Sequence, residues 1–459
     1  MNNDNNDTIA AVSTSPGEAG IGIVRLSGGE ALAIASRIFV SKNGRGPRDF
    51  ETYSVHLGKV MDGKDPVDEV LLTVMKAPKS YTREDVVEIS CHGGILIIKK
   101  ILELCLKNGA RPASPGEFTK RAFLNGRIDL SQAEAVCDLI KAKTDVSLSC
   151  ALSQLTGALS RLVNRQKNAL ADIMAGVEAG IDYAEDDIPP SPPAELAVKI
   201  EGIKNEISGI ISTFRSGKIF REGLRAAIIG RPNVGKSSLL NLLVGEDRAI
   251  VTEFPGTTRD VIEETVNING IPLILTDTAG IRKHTADFIE KLGIERSYDA
   301  IKSAGLILFM LDASSGPNEE DSRIAGLIGG KKTIFVLNKC DLGVKTGGSL
   351  FGRGDSPTVK ISALKNEGVE ELKKTIYDMF IEKGATAGEF ILTSARHKAL
   401  LEEAAGSLEK ALAAARKGMS EEFTAVDLRV ALDRLGEITG EVTTEDILGR
   451  IFSGFCVGK

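Results

Sequence analysis

The run Gly230–Ser237 has residue types and spacing that suit phosphate binding. It reads Gly-Arg-Pro-Asn-Val-Gly-Lys-Ser, which fits the pattern G-x-x-x-x-G-K-S. The apolar residues Leu224–Ile229 predict a buried strand before it, and Ser238–Val244 predict a helix after it. Such a loop presents backbone N–H groups and a helix N-terminus to a nucleotide's phosphates. We therefore predict that Lys236 reaches the β- and γ-phosphates and that Ser237 ligates Mg²⁺. A plain glycine-rich turn is the alternative.

A second polar motif predicts which base the nucleotide carries. Asn338–Asp341 reads Asn-Lys-Cys-Asp and follows the apolar strand Thr333–Leu337. It is therefore expected at the carboxyl end of a parallel sheet, where ligands bind in open α/β folds. An Asp carboxylate there can accept hydrogen bonds from N1–H and the exocyclic amine of guanine, a donor pair that adenine lacks. Ser362–Leu364, after the strand-like Thr358–Ile361, is expected to close over the base.

A third motif, Asp277–Gly280, reads Asp-Thr-Ala-Gly and ends the predicted strand Ile271–Thr276. Asp277 is placed to hold the Mg²⁺ shell, and Gly280 to offer its N–H to a γ-phosphate. In this order and spacing the three motifs resemble those of a GTPase domain.

The segment Val251–Asp260 lies between the helix after the phosphate loop and the predicted strand Val261–Val266. A switch segment ordered by γ-phosphate and Mg²⁺ belongs at this position, and Thr258 would be its Mg²⁺ ligand. The residues that we predict to contact GTP are Asn233, Val234, Gly235, Lys236, Ser237, Ser238, Thr252, Glu253, Phe254, Pro255, Gly256, Thr257, Thr258, Asp277, Thr278, Ala279, Gly280, Asn338, Lys339, Asp341, Ser362 and Ala363.

Two features distinguish this domain from common GTPases. Ile281 stands where many GTPases place a Gln that orients water, and because a hydrophobic side chain cannot position water, another group must do so. Arg259 and Arg282 lie near the switch segments, but we interpret them as solvated or phosphate-adjacent charges rather than as arginine fingers.

The phosphate loop and switch resemble those of cation-activated GTPases, in which K⁺ beside the phosphates replaces an arginine finger. A bound monovalent cation can neutralise charge that builds between the β- and γ-phosphates. The resemblance implies a K⁺ site formed by Asn233, Thr252, Phe254 and Thr257. A role for Asn233 as an ordinary turn residue is the alternative.

Length and composition frame this domain. The chain has 459 residues, of which 42% are hydrophobic and 26% charged, with no Trp, a balance that predicts about two or three ordinary soluble domains. The net charge of −6 excludes a polycationic nucleic-acid binder, so any RNA contact requires a local patch or a partner. Residues 1–7 are polar and acidic, and apolar stretches such as Ala304–Leu311 fall far short of the roughly 20 residues of a membrane helix. We expect a cytoplasmic protein without a secretory signal or a membrane segment.

Hydrophobic periodicity predicts a multidomain chain with an inserted domain. Strand-like runs alternate with turns in the first part, whereas helical patterns dominate from Ser131 to Gly180 and return after the GTPase motifs. Insertion is plausible because the two ends of a compact domain often lie close together. The predicted boundaries are 1–124 for an N-terminal α+β domain, 125–220 for the first part of an all-α helical domain, 221–384 for an inserted α/β P-loop GTPase domain and 385–459 for the second helical part.

The cysteines show no paired metal-binding spacing. We interpret them as free thiols in a reducing compartment. Cys91 and His92 could form half of a metal site, but no second pair exists in the sequence, so we disfavour that interpretation. The six cysteines are Cys91, Cys105, Cys137, Cys150, Cys340 and Cys456.

Segments outside the GTPase domain make the prediction more specific. Together with the GTPase motifs they resemble the MnmE (also called TrmE) family of bacterial and organellar tRNA-modification GTPases, over essentially the whole chain. These segments are Tyr81–Glu88, Cys91–Gly94, Pro115–Asn125, Asp129–Ala135 and the terminal Phe455–Lys459, which reads Phe-Cys-Val-Gly-Lys.

The resemblance implies partners and cofactors. It implies a homodimer formed through the N-terminal domain and a heterotetrameric complex with an FAD-dependent subunit. That complex would modify C5 of the wobble uridine of certain tRNAs, by carboxymethylaminomethyl or aminomethyl groups. A 5-formyl- or methylene-tetrahydrofolate bound in the N-terminal domain would supply the one-carbon unit. The resemblance also implies switching through GTPase-domain dimerisation.

The folate site that the resemblance implies combines cations with one carboxylate. Cations suit the glutamate tail of folate, and a carboxylate suits the guanidine-like edge of the pterin. Arg25 taken alone could equally be a solvated surface charge. The implied residues are Arg25, Glu88, Arg127 and Lys459.

The resemblance assigns the water-orienting role to Glu290, which would supply what Ile281 cannot. Because the segment after Gly280 is one residue longer than in the family pattern, Glu295 stays an alternative. Cys456 could add to C6 of a uridine and so activate C5, or it could be a structurally placed thiol at the folate or helical interface; we favour the structural role because buried, unreactive cysteines are common.

Two other classes of function remain as rivals. A ribosome-assembly GTPase would share the GTPase domain, but it would need a basic RNA-binding appendage in place of the folate-type domain and the terminal motif. A scaffold in which hydrolysis is incidental would not need fast, K⁺-dependent turnover.

Overall fold

The computed structural model describes residues 7–15, 17–42, 44–182, 192–247, 264–276, 301–345, 351, 356–381 and 390–459. These residues divide into two compact units. The described residues up to Cys137 and from Gly436 onward form the first unit, and those between Asp138 and Leu435 form the second.

The first unit is built on a mixed sheet. Its strands are β1 (Ile9–Val12), β2 (Ala19–Ser27), β3 (Phe39–Ser41), β4 (Ser54–Asp62), β5 (Asp65–Met75), β6 (Val86–Gly93) and β7 (Arg111–Pro112), in the order β3-β4-β5-β6-β2-β1-β7. Neighbouring strands are antiparallel except β1 and β7, which are parallel. Helices α1 (Ala31–Ile38) and α2 (Ile95–Lys107) pack into the same core as the strand residues Val24 and Leu26. Since side chains alternate along a strand, Arg25 between them points to the other face.

The end of the chain folds back into this unit. Helices α3 (Glu117–Leu124) and α4 (Leu130–Lys141) pack with the last helix of the chain, α14 (Glu445–Ser453). Leu130 and Phe452 share a buried cluster with Phe455. The terminal motif is therefore anchored by burial of its first residue.

The second unit contains a sheet with both faces covered. Its strands are β8 (Leu224–Ile229), β9 (Glu264–Ile268), β10 (Ile271–Thr276), β11 (Leu306–Asp312), β12 (Thr333–Asn338) and β13 (Thr358–Lys360), in the order β13-β12-β11-β8-β10-β9. All neighbours are parallel except β9 and β10, which form a hairpin. The sheet packs with α9 (Lys236–Asp247), α10 (Glu319–Leu327) and α11 (Val369–Phe380). Chain order reverses at β8, which pairs with β10 on one side and β11 on the other. Ligands bind at such a switch point in open α/β sheets.

Helices flank this sheet domain in the sequence. They are α5 (Asp145–Leu155), α6 (Ala158–Asp182), α7 (Pro193–Ser212), α8 (Phe214–Glu222), α12 (Ala395–Arg416) and α13 (Glu421–Thr439). The backbone N–H of Leu392 donates to Thr213 Oγ1 over 2.9 Å, so the points where the chain enters and leaves the sheet domain lie together. Helix α8 then places Phe220, which is 2% exposed, in the core of the sheet domain.

The structure confirms the predicted fold class, with an α+β N-terminal part, helical segments and an α/β P-loop domain inserted between helices. The helical pattern from Ser131 to Gly180 forms three helices, α4, α5 and α6. Thr144 separates α4 from α5, where its Oγ1 accepts a hydrogen bond from Ser147 N and caps α5. The boundaries at 124, 220 and 384 stay predictions. In the part of the chain that the structure describes, no helix has the length and apolar character needed to cross a membrane.

Substitution Phe220→Ala tests the anchoring of the sheet domain by α8. Loss of a buried aromatic side chain is expected to lower the free energy of unfolding by about 3–5 kcal/mol. The matched control Phe423→Ala removes a side chain that is 58% exposed on α13 and is expected to change it by less than about 0.5 kcal/mol. Scanning calorimetry measures both; equal midpoints for the two variants would contradict the packing.

Candidate functional site

The phosphate loop joins the end of β8 to the start of α9. Gly230 and Gly235 have φ angles of +148° and +100°, and Asn233 lies in the left-handed region at +61°. A Cβ added to Gly235 would lie 2.1 Å from Nδ2 of Asn338, and one added to Gly230 would lie 2.4 Å from the carbonyl oxygen of Met310. The two glycines of the motif are therefore required by both backbone conformation and close approach.

Lys236, the first residue of α9, is held against this loop. Its Nζ donates to the carbonyl oxygens of Gly230 and Arg231 over 2.7 and 2.8 Å. Burial penalises the ammonium and lowers the pKa of Lys236, while the Glu320 carboxylate acts in the opposite direction. Ser237 follows in the first turn of α9 and is half-buried. Lys236 and Ser237, predicted for phosphate and Mg²⁺ contact, thus both lie where the phosphate loop meets the N-terminus of α9.

Asn338 links the loops that carry the predicted GTP contacts. It ends β12 and is 3% exposed. Its Nδ2 donates to the carbonyl oxygen of Val234 over 2.8 Å, and its Oδ1 accepts from the N–H of Ala363 over 3.0 Å. One carboxamide thereby ties the phosphate loop, the Asn-Lys-Cys-Asp motif and the segment after β13 together.

The other members of the base-recognition motif are also held by side chains. Asp341 Oδ1 accepts from Ser362 Oγ over 2.8 Å, which places two predicted base contacts side by side. Lys339 Nζ donates to Oδ2 of Asp312 over 2.7 Å. Asp312 lies outside the motifs from which the site residues were predicted. A signal existed, since Asp312 is an acidic residue directly after the buried apolar run Leu306–Leu311.

The phosphate loop has a further contact beyond the motifs. Arg231 Nη2 donates to Ser315 Oγ, and its Nε lies 3.7 Å from Oδ2 of Asp321. Asp321 is fully buried and also accepts from the N–H of Asn318 at the start of α10. An ion pair between Arg231 and Asp321 therefore connects the phosphate loop to α10.

Many predicted site residues lie outside the described residues and stay predictions. They are the switch residues Thr252, Glu253, Phe254, Pro255, Gly256, Thr257 and Thr258, the third motif Asp277, Thr278, Ala279 and Gly280, the candidates Glu290 and Glu295, and Arg259, Ile281 and Arg282.

The first unit gathers residues of the predicted folate site. Arg25 on β2 and Glu88 on β6 are cross-strand neighbours, and Arg25 Nε donates to Glu88 Oε1 over 2.7 Å. Arg25 Nη1 also donates to the carbonyl oxygen of Gly458 over 3.2 Å. The guanidinium lies 5.6 Å from the ring centroid of Phe118. Since both charged side chains are about one fifth exposed, the pair can be reached from solvent.

Arg127 joins this group through Tyr81. Its guanidinium lies 4.8 Å from the centre of the Tyr81 ring, and its Nη1 donates to the Tyr81 carbonyl oxygen over 3.3 Å. Burial raises the pKa of Tyr81, while a hydrogen bond with Thr119 and the charges of Arg127 and Arg25 act to lower it. The two arginines therefore both act on one phenol.

The terminal motif Phe455–Lys459 lies beside Arg25. Gly458 has a φ of +95°, and a Cβ there would lie 2.3 Å from the carbonyl oxygen of Val12. Lys459 is half-buried, and its N–H donates to the carbonyl oxygen of Cys456 over 3.3 Å. Cys456 itself is exposed, so the burial on which we based a structural role for its thiol is not found.

Cys91 and His92 have other partners. Cys91 is buried, and burial together with the charge of Asp68 raises the pKa of its thiol to about 11. His92 Nδ1 lies 2.7 Å from Oδ1 of Asp68. Within the described residues, no group of three or more His, Cys, Asp or Glu side chains is arranged to hold a metal ion.

Comparison with known proteins assigns the family. A family model described as the MnmE helical domain matches residues 130–456, and one described as the GTP-binding protein TrmE N-terminus matches residues 8–127. The tRNA modification GTPases MnmE of Geobacillus kaustophilus and Clostridioides difficile are each 49% identical to this chain, over 459 and 457 residues and 99% of both chains. The corresponding protein of Acetivibrio thermocellus is 47% identical over 464 residues, again 99% of both chains.

The chain belongs to the MnmE family. Family membership makes it a GTP hydrolase that acts in tRNA modification. The P-loop, the Asn-Lys-Cys-Asp motif and the MnmE-type N-terminal part are thus parts of one enzyme.

Substitution Asp341→Asn tests the base assignment. A carboxylate can accept from two guanine donors, whereas an amide can offer an N–H to the C2 carbonyl of xanthine. We expect GDP affinity to fall at least about tenfold and affinity for xanthosine diphosphate to rise, because an unmatched buried polar group is costly. Asp378→Asn, on α11, serves as the control. Unchanged GDP binding by Asp341→Asn would contradict the assignment.

Proposed function

We propose that this MnmE family member is a K⁺-activated GTPase that, with an FAD-dependent partner, drives C5 modification of the wobble uridine of certain tRNAs. The modification is of the carboxymethylaminomethyl or aminomethyl type, and a tetrahydrofolate derivative donates the one-carbon unit. The observation that carries the proposal is the 49% identity, over nearly the whole chain, to proteins named tRNA modification GTPases. The protein acts as a homodimer joined through its N-terminal domain.

The exposed side chain of Asn233 supports cation activation. Its side chain is exposed at the phosphate loop and makes no hydrogen bond to another described residue. Its backbone has a φ of +61°, a conformation that Asn tolerates better than most residues. The amide oxygen is thus available to a cation, with Thr252, Phe254 and Thr257 as the remaining proposed ligands. When bound, K⁺ supplies positive charge where negative charge develops between the phosphates.

The remaining GTPase roles follow from the motifs. Ser237 and Thr258 ligate Mg²⁺, with Asp277 in its shell, and Lys236 contacts the β- and γ-phosphates. Glu290 orients the attacking water, and Glu295 is the alternative.

The Arg25–Glu88 pair supports a folate site. Oε1 of Glu88 accepts from Arg25, while its other oxygen makes no hydrogen bond to the described residues and can accept from a pterin edge. Arg127 and Lys459 add cations that suit the glutamate tail. Cys456 is exposed near this group, which allows a chemical role as well as a structural one.

The K⁺ mechanism is tested by GTP hydrolysis in K⁺ buffer and in matched Na⁺ buffer. Wild type is expected to be faster in K⁺ by at least about tenfold, because the ion replaces an arginine finger. Asn233→Ala should abolish that difference. Asn233→Gly should abolish it as well, since glycine removes the side chain but tolerates the left-handed backbone that alanine strains. Equal wild-type rates in both salts would reject K⁺ activation.

The folate assignment is tested by calorimetric titration with 5-formyltetrahydrofolate. Glu88→Gln and Arg25→Met each remove a charge from the pair, and we expect binding to weaken at least about tenfold, because charge-assisted hydrogen bonds are strong. Glu103→Gln, which alters an exposed ion pair with Lys99 on α2, is the control. Wild-type affinity in both test variants would remove the folate site from this pair.

A further inference from the structure

We propose that Asp312 is a positioning residue for the guanine-binding motif. It fixes the ammonium of Lys339 and thereby sets nucleotide affinity from outside the GTPase motifs. The inference builds on the GTPase assignment and adds a residue to it.

Both carboxylate oxygens of Asp312 are engaged. Oδ2 accepts from Lys339 Nζ over 2.7 Å, and Oδ1 accepts from the N–H and Oγ of Ser314 over 3.0 and 2.6 Å. Burial alone would raise the pKa of Asp312, but the hydrogen bonds from Lys339 and Ser314 outweigh it and lower the pKa to about 2. With its side chain 12% exposed, Asp312 is a fixed negative charge aimed at one lysine.

Sheet register explains why these two residues meet. Asp312 ends β11 and pairs in register with Asn338 at the end of β12. Lys339 follows in a left-handed backbone conformation with a φ of +65°, which a residue with a Cβ rarely adopts. The ion pair with Asp312 then fixes the far end of the Lys339 side chain.

The loop that begins at Asp312 also contacts the phosphate loop. Ala313 N donates to the carbonyl oxygen of Asn338 over 2.8 Å, and Ser315 accepts from Arg231 of the phosphate loop. The same short loop therefore touches the base motif and the phosphate loop. A change at Asp312 acts where the nucleotide binds, without altering any residue predicted to contact it.

The experiment measures GDP affinity by fluorescence titration with a fluorescent GDP analogue, and KM and kcat for GTP, in the full-length chain. In Asp312→Asn, which keeps the size of the side chain, we expect the Kd for GDP and the KM for GTP to rise at least about tenfold. We expect kcat to stay within about twofold, because Asp312 does not act on the phosphates. Glu195→Gln, which alters the exposed Glu195–Lys199 pair on α7 in the same chemical way, should match wild type.

A double-mutant cycle separates positioning from general stabilisation. If Asp312 acts through Lys339, Asp312→Asn has no further effect on Kd once Lys339→Met is present. Additive effects overturn the proposal, as does a wild-type Kd in Asp312→Asn. A fall in the melting temperature of the nucleotide-free protein, together with a proportional loss of kcat, also overturns it, because both indicate a structural role.

The Ser314→Ala variant and wild-type GDP binding cover two further outcomes. If Asp312→Asn fails to fold, Ser314→Ala replaces it; removal of one hydrogen bond to Asp312 should raise KM about threefold at constant kcat, and an unchanged KM overturns the proposal. Failure of the wild-type chain to bind the GDP analogue would contradict the GTPase assignment itself and is read separately from the Asp312 comparison.

Discussion

The carboxamide of Asn338 is the contact on which the nucleotide site depends. It spans from the carbonyl oxygen of Val234 to the N–H of Ala363, and so sets the spacing between three loops that enter from β8, β12 and β13. These loops meet because parallel strands present their carboxyl ends at one edge of the sheet. The close approach of Asn338 to Gly235 leaves no space for a Cβ at that position, so the glycine of the motif and the asparagine constrain each other. In a buried site, a polar group that is hydrogen-bonded at both ends favours one arrangement.

The sheet domain is also attached to the helices at its far side. Thr144 Oγ1, at the cap of α5, donates to the carbonyl oxygen of Gly270 in the turn of the β9–β10 hairpin, over 2.8 Å. Val146 of the same helix packs at that glycine, and Ser147 Oγ donates to the Phe220 carbonyl oxygen over 2.6 Å. Strand β9 follows the predicted switch segment and β10 precedes the Asp277–Gly280 motif. The hairpin between these two predicted GTP-contacting segments is thus hydrogen-bonded to the start of α5.

In the N-terminal unit, the position of Arg25 depends both on a neighbouring charge and on the C-terminal segment that packs beside it. Arg25 lies on the sheet face away from the core, where it would be an ordinary solvated cation without the chain end. Its guanidinium is held in place by hydrogen bonds to Glu88 on the neighbouring strand and to the Gly458 carbonyl oxygen of the terminal motif. Burial of Phe455 keeps the motif in place, so the short terminal segment contributes to the predicted folate site by packing as well as by its own charge.

The sequence by itself determined the elements and motifs that depend on short windows. The runs Leu224–Ile229 and Ile271–Thr276 are strands as predicted. Motif spacing identified the GTPase class, because phosphate and base recognition each need a few residue types at fixed offsets. Pairings between distant residues were decided by the tertiary structure alone. Asp312 and Lys339 are 27 positions apart, and Arg25 and Gly458 are 433 positions apart. Such contacts depend on strand order and on where the chain returns, and these are set by burial summed over the whole core rather than by any local pattern.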